Sequence, residues 1–183
     1  MINRLDKYRA YKHAVERCLQ ESSTLDEFSA LLKDDPRLTG FRARARVELQ
    51  TLYDHLRRDF DMPELPVYLP VRKKIAVYGA AFHHGGNPTE IRIYCLKGCA
   101  GKPYDKWTPG DIRVCSEAEL FETFIHETAH ILEATRNGRM GHGKPFIKAY
   151  EAIEEYFINN RFGYLIDPKI RLMGVAGKAK AAR

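Results

Sequence analysis

The stretch that decides the fold is His126-Glu127-Thr128-Ala129-His130, which lies within the segment 116–157. On an α-helix, residues four apart project from nearly the same side, separated by about 40° around the axis. Both imidazoles can therefore reach one metal ion, and Glu127 is close enough to act on a water beside it. Short motifs of this kind also occur by chance, so the surrounding residues decide the meaning of this one.

The flanking residues predict a helix around the motif. Ser116 and Glu119 form a capping-box pair that starts a helix ten residues before His126, and Asn137-Gly138 ends it. One side of this helix is apolar and consists of Leu120, Phe121, Phe124, Ile125, Ala129, Ile131 and Leu132. The opposite side consists of Glu119, Thr123, His126, His130 and Glu133. We therefore expect the two histidines to face away from the buried side of their own helix.

A third histidine follows in the segment Gly141-His142-Gly143. Glycine on both sides allows a sharp turn, and Pro145 suits the first turn of a new helix. That helix has core spacing at Phe146, Ala149, Ile153 and Phe157. His142 can then fold back as a third ligand of one zinc ion, which leaves the fourth position open for water, as in catalytic zinc sites.

The motif H-E-x-x-H, followed after ten residues by Gly-His-Gly-x-x-Phe, resembles the SprT-like (Spartan-type) zinc metallopeptidases. The resemblance is strongest over residues 112–150 and extends back to about residue 67. It implies that His126, His130 and His142 are the zinc ligands and that Glu127 is the catalytic base. It also implies an α+β, zincin-like core, in which a small antiparallel or mixed sheet packs with the H-E-x-x-H helix and pairs with an extended peptide substrate. Cleavage of proteins held on DNA is a further implication.

The length of 183 residues and the apolar share of 44% predict one domain with a real core. The expected organisation is an N-terminal helical region over 1–60, the zincin-like domain over 61–173 and a flexible basic tail over 174–183. No run of eighteen apolar residues occurs, and residues 1–9 are polar rather than signal-like. We therefore expect a cytoplasmic protein without a membrane partner, whose oligomeric state the sequence does not indicate.

The net charge of +6 and the pI of about 9.1 favour a polyanionic partner, with DNA as the candidate. The residues expected to contact phosphates are the tail and Arg42, Arg44, Arg46, Arg57 and Arg58. The alternative is that these arginines are an ordinary solvated helix surface.

The rest of the chain predicts three helices and then short strands. The helices are expected at 3–20, 24–32 and 41–60, the last with Val47, Leu49, Leu52, Tyr53 and Leu56 available for burial. Strands are expected at 74–82, 90–96 and 111–115, with a polar turn at 83–88. The loop 98–110 contains Trp107, which either flanks a cleft or anchors the loop on the core.

Other classes of metal site require different residues around the motif. A metzincin requires glycine and histidine where this chain has Glu133 and Arg136, so that class is excluded. A di-iron carboxylate site needs a second Glu-x-x-His, which the chain lacks. A gluzincin-type peptidase remains an alternative, because a carboxylate can be the third ligand. Its candidates are Glu151, Glu154 and Glu155, while Tyr150 and Tyr156 are candidates for a second electrophile.

The alternative from a different class is a non-catalytic, zinc-stabilised nucleic-acid-binding protein. Glu127 argues against it, because a structural site needs no base and is normally closed by four protein ligands. A second metal site at Cys95, Cys99 and Cys115 has poor spacing, so reduced thiols are the simpler interpretation. His83 and His84 lie in the predicted polar turn, and nothing in the sequence brings them to the metal.

Overall fold

The structure, a computed structural model, describes residues 5–70, 79–84, 87–98, 102 and 106–160. Within these residues it is an α+β fold, as the sequence predicted. The helices are α1 (Asp6–Gln20), α2 (Leu25–Asp34), α3 (Pro36–Asp59), α4 (Glu117–Asn137) and α5 (Lys144–Asn159). The strands are β1 (Val67–Tyr68), β2 (Gly79–His84), β3 (Asn87–Ile93), β4 (Leu96–Gly98) and β5 (Ile112–Val114).

The N-terminal helices begin where local capping signals place them. Thr24 and Glu27 form the predicted capping box of α2. The third helix begins at Pro36, earlier than the predicted residue 41. Asp35 caps it by accepting the Arg37 N–H at 2.9 Å, and Pro36 occupies the first turn, where proline is favoured.

Helices α1 and α3 share one hydrophobic core with the C-terminal helices. The buried residues of α1 and α3 include Tyr8, Tyr11, Val15, Leu49, Leu52, Tyr53 and Leu56. The Tyr8 hydroxyl also donates to the Cys115 carbonyl at 2.7 Å, which ties α1 to the residue after β5. The prediction that Val47 is buried is wrong, because its side chain is 62% exposed and Ala45 occupies the inner side of this turn.

Two small sheets replace the simple run of strands expected from the sequence. In the first, β3 lies between β1, which is parallel to it, and β2, which is antiparallel. In the second, β4 pairs with β5. The expected strand 90–96 is thus divided at Tyr94 and Cys95, both buried, where the chain leaves one sheet for the other.

The turn expected at 83–88 is shorter than predicted. His83 and His84 belong to β2, after a register shift at Phe82/His83, and β3 already begins at Asn87. Both histidine side chains are exposed. The part of the expected strand at 74–78 lies outside the described residues, as do Cys99 and the tail 174–183.

The Trp107 loop is anchored on the core. A Cβ built on Gly98 would lie 1.9 Å from the Trp107 ring, so the indole rests directly against the β4 backbone. Its Nε1 donates to the Lys102 carbonyl at 2.7 Å. Of the two interpretations of this loop, the structure supports anchoring at Trp107.

The central element is α4, which packs against α5, β2 and β3. Near its N-terminus, Glu119 accepts hydrogen bonds from Lys97 at 2.7 Å and from Arg113, so the second sheet is fixed to this helix. Within the described part of the chain, no helix is both long and apolar enough to cross a bilayer.

Candidate metal centre

The first two residues of the site come from the middle of α4. The predicted capping box at Ser116 and Glu119 begins this helix, and Gly138 ends it with φ of 66°, a left-handed conformation that glycine adopts without strain. His126 and His130 lie one turn apart, with ring centroids separated by 4.9 Å. His126 is half-buried and His130 is buried.

His142 joins this pair from the connection between α4 and α5. Its Nε2 lies 3.2 Å from the Nε2 of His126, and its ring centroid is 4.7 Å from that of His130. Its position is set by α5, whose Phe146 ring packs against all three imidazoles. The structure therefore brings together the three histidines that the sequence selected.

The arrangement of nitrogen atoms fits a metal ion. One nitrogen from each histidine lies within 4.8 Å of the other two. For Zn–N bonds of 2.0–2.1 Å at tetrahedral angles, two ligand nitrogens lie about 3.3 Å apart. The 3.2 Å between His126 and His142 matches this value. Because His142 is exposed, the cluster is accessible from one side, so three neutral imidazoles can hold a cation that keeps an open position.

Glu127 lies beside the cluster but is not part of it. Its side chain is only 6% exposed and faces β2, where the Ala81 N–H hydrogen-bonds the carboxylate. Burial raises the pKa of Glu127 to about 7, and the Ala81 hydrogen bond opposes part of this rise. A cation bound nearby would lower this pKa, since an adjacent positive charge favours the carboxylate.

The position of β2 depends on a glycine. A Cβ on Gly79 would lie 2.7 Å from Glu127 Cγ and 2.6 Å from Thr123 Cγ2. Such distances exclude any larger residue unless the strand or the glutamate moves. Gly79 therefore allows the β2 backbone to approach α4 closely enough for the Ala81–Glu127 contact.

The histidine side of α4, expected to face away from the buried side of its own helix, is itself largely buried. His130 and Glu133 are buried, and His126, Glu119 and Thr123 are half-buried. This burial results from tertiary packing, because α5 and the first sheet cover the polar side of α4 as well. The turn at Gly141 and Gly143 also needs less of the conformational freedom of glycine than expected. Among the glycines that the structure describes, only Gly138 has positive φ.

Most of the other candidate residues lie elsewhere. The histidine cluster contains none of Glu151, Glu154 and Glu155, and within the described residues it is the sole cluster of its kind. Tyr150 donates to Glu122, one turn before His126, whereas Tyr156 packs against Phe60 and Phe157. Cys95 and Cys115 are buried free thiols, and burial raises the pKa of Cys115 to about 11.

Two contributions to the site were not found from the sequence. One is the β2 backbone at Gly79 and Ala81, for which the sequence offered no signal beyond the glycine itself. The other is Glu133, whose carboxylate accepts the Gly141 N–H at 2.7 Å and lies 4.0 Å from His130 Nδ1. Its spacing of three residues from His130, on the same side of the helix, was a usable signal.

Comparison with known proteins gives no relative to set beside this geometry. No protein-family model, no curated protein and no solved structure matches the chain. What the centre can do is therefore inferred from its own residues.

Proposed function

We propose that this chain is a zinc-dependent endopeptidase of SprT-like type with a zincin-like core. The observation that carries the proposal is the convergence of His126, His130 and His142, with Glu127 beside the cluster rather than in it. Three nitrogen ligands and a buried carboxylate next to an open position are the parts that hydrolysis of a peptide bond requires.

When bound, zinc would acidify a water and polarise the scissile carbonyl. Glu127 is the base in this proposal. Its carboxylate accepts a proton from the attacking water and delivers it to the leaving amine. The Ala81 N–H and the packing against Gly79 hold the carboxylate in one orientation, so little reorganisation is needed during the reaction.

The strand β2 offers a place for an extended peptide substrate. Among the described residues, β3 is the only strand that pairs with β2, which leaves the other edge of β2 without a strand partner in this part of the chain. The Ala81 backbone lies next to Glu127. A peptide pairing with this edge by main-chain hydrogen bonds would therefore pass close to the base.

The two alternatives have less support. A gluzincin-type peptidase needs a glutamate at the metal, and His142 occupies that place in the cluster. A purely structural zinc site is normally closed by four protein ligands, whereas this cluster has three and is exposed at His142.

The proposal is tested by metal analysis together with cleavage of an unstructured substrate such as casein. We expect one zinc per chain, loss of cleavage when a chelator removes the metal, and recovery when zinc is returned. A chain that holds one zinc and cleaves neither casein nor histones, with or without DNA, would contradict the peptidase assignment.

For the partner, we propose that DNA binds along α3, and the structure separates the candidate arginines into two groups. Arg57 forms ion pairs with Asp54 and Glu64, so its charge is already compensated. Arg58 donates a hydrogen bond to the Asp54 carbonyl. Arg42 and Arg46 instead line a groove of about 530 Å³ between α3 and the first sheet. Within the described residues, neither of them pairs with an acidic side chain.

The sheet side of this groove adds an aromatic ring and a third arginine, Arg92, whose charge is already paired with Glu90 in the same groove. Tyr68 lies opposite Arg92 in the β1–β3 register, and the Arg46 guanidinium lies 5.4 Å from the Tyr68 ring centroid. Tyr68 is exposed, and Arg92 lies 4.4 Å from the exposed ring of Phe82. Exposed rings on the sheet face beside Arg42 and Arg46 suit single-stranded DNA, because the bases can stack on the rings while these two arginines meet phosphates.

Replacing Arg42 and Arg46 together by glutamine should weaken single-stranded DNA binding and make it less sensitive to salt. Each phosphate contact contributes about 0.7 to the slope of log affinity against log salt, so the slope should fall by about 1.4. Fluorescence anisotropy of a labelled oligonucleotide at several salt concentrations measures it. Arg44→Gln is the matched control, because Arg44 lies on the same helix but outside the groove. Equal slopes for all three proteins would leave these arginines as solvated surface.

A further inference from the structure

Glu133 is a buried carboxylate in the last turns of α4, only 2% exposed. Burial of a carboxylate is unfavourable unless hydrogen bonds or opposite charges compensate it. Within the described part of the chain, Glu133 makes no ion pair with lysine or arginine. Its contacts are instead with the metal centre, which suggests that the centre is the reason for its burial.

One oxygen of Glu133 makes both contacts. Oε2 accepts the Gly141 N–H at 2.7 Å and lies 4.0 Å from His130 Nδ1. Gly141 directly precedes His142, the third histidine of the cluster. A single carboxylate oxygen therefore lies between the second histidine and the backbone that presents the third.

Which nitrogen of the His130 ring faces Glu133 determines which nitrogen can bind a metal ion. A histidine that binds a metal through one ring nitrogen usually directs its other N–H toward a carboxylate or carbonyl, which fixes the tautomer and the ring orientation. With Nδ1 toward Glu133, the nitrogen left for the cation is Nε2. The negative charge of the carboxylate also makes the imidazole a stronger ligand.

We infer that Glu133 is a positioning residue of the metal centre, which orients His130 through Nδ1 and holds the His142 connection through the Gly141 N–H. The inference builds on the proposed zinc site, but it concerns metal affinity and does not depend on which reaction the site catalyses. The residue does not contact the reacting atoms in this scheme. Its effect passes through the two histidines.

The two contacts can be separated by two substitutions. In Glu133→Gln, an amide oxygen can still accept the Gly141 N–H, but no charge faces His130. In Glu133→Ala, both contacts are lost. We expect zinc affinity, measured by competition with a chromophoric chelator, to fall about 10-fold to 100-fold for the glutamine variant, the usual range for such outer partners. The alanine variant should lose more, while one site per chain remains.

Glu48→Gln is the matched control. Glu48 lies on α3 and, like Glu133, accepts a backbone N–H, in this case from Lys7 at 3.3 Å. Its replacement should leave zinc affinity within about twofold of the unmodified protein, since outer partners matter only next to the ligands. Circular dichroism and thermal unfolding of the metal-free proteins check that all variants are folded.

Spectroscopy distinguishes positioning from a general structural role. In the metal-free protein, the ¹⁵N shifts of His130 should show Nδ1 protonated, and this preference should weaken in Glu133→Gln. The visible spectrum of the cobalt-loaded protein should change for both Glu133 variants and not for Glu48→Gln.

A folded Glu133→Gln protein with unchanged zinc affinity and unchanged His130 shifts overturns the inference. If the unmodified protein binds zinc but cleaves no peptide, only the peptidase proposal fails. If it binds no divalent metal, both proposals fail.

Discussion

Glu127→Gln is expected to abolish peptide hydrolysis while the chain keeps one equivalent of zinc. The carboxylate lies outside the three-histidine cluster, so its removal leaves the three candidate ligands in place. The amide has nearly the same shape and can still accept the Ala81 N–H, but it cannot take a proton from water. Loss of a positioned base lowers rates by about 10²-fold to 10⁴-fold. Steady-state cleavage of a fluorogenic peptide, together with metal analysis, measures both parts.

Glu151→Gln provides the comparison for this experiment. Glu151 is an exposed carboxylate on α5 and does not belong to the cluster, so its replacement should leave both cleavage and zinc content unchanged. Loss of zinc together with activity in Glu127→Gln would show that the carboxylate is structural or binds the metal. Undiminished cleavage would remove Glu127 from the mechanism.

Much of the helical framework could be predicted because helix ends are local. The capping boxes at Thr24 and Ser116 and the glycine at 138 are recognisable within four residues, and the structure confirms all three. The start of α3 was misplaced for a related reason. Asp35 caps the next helix and Pro36 begins it, so it starts five residues before the expected residue 41.

The sheets were less predictable, because strand pairing joins residues that are distant in the sequence. The segment 90–96 was expected to form one strand, but Tyr94 is buried between two strands and the chain changes sheet there. Nothing local indicates which partner a short strand selects, since the pairing energy comes from residues on other strands.

At the candidate site, the histidines could be predicted and most of their surroundings could not. A spacing of four residues on one helix places His126 next to His130 whatever the rest of the fold is. The environment of Glu127 depends instead on Gly79 and Ala81, which are about fifty residues away in the sequence. The arginines of α3 illustrate the same limit. Only the packed structure distinguishes Arg57, which is paired, from Arg42 and Arg46, which line the groove.

His142→Ala is expected to weaken zinc binding by about 100-fold or more. Structural zinc sites with four ligands gain about 10–16 kcal/mol on binding, so one ligand accounts for about 3 kcal/mol. His142 is well suited to show this loss, because its exposed side chain leaves no cavity in the core when it is truncated. Competition with a chromophoric chelator gives the affinity, and thermal unfolding of the metal-free protein should be nearly unchanged.

The same measurement on Glu151→Ala, Glu154→Ala and Glu155→Ala distinguishes the two proposed third ligands, a histidine and a glutamate. None of these glutamates belongs to the histidine cluster, so we expect each variant to retain zinc affinity close to that of the unmodified chain. Glu154 is buried, so its variant also needs the unfolding measurement to show that it is folded. If one glutamate variant releases zinc and His142→Ala does not, the third ligand is a carboxylate and the SprT-like assignment is wrong. If only His142→Ala releases it, the exposed histidine between two glycines is the residue that completes the centre.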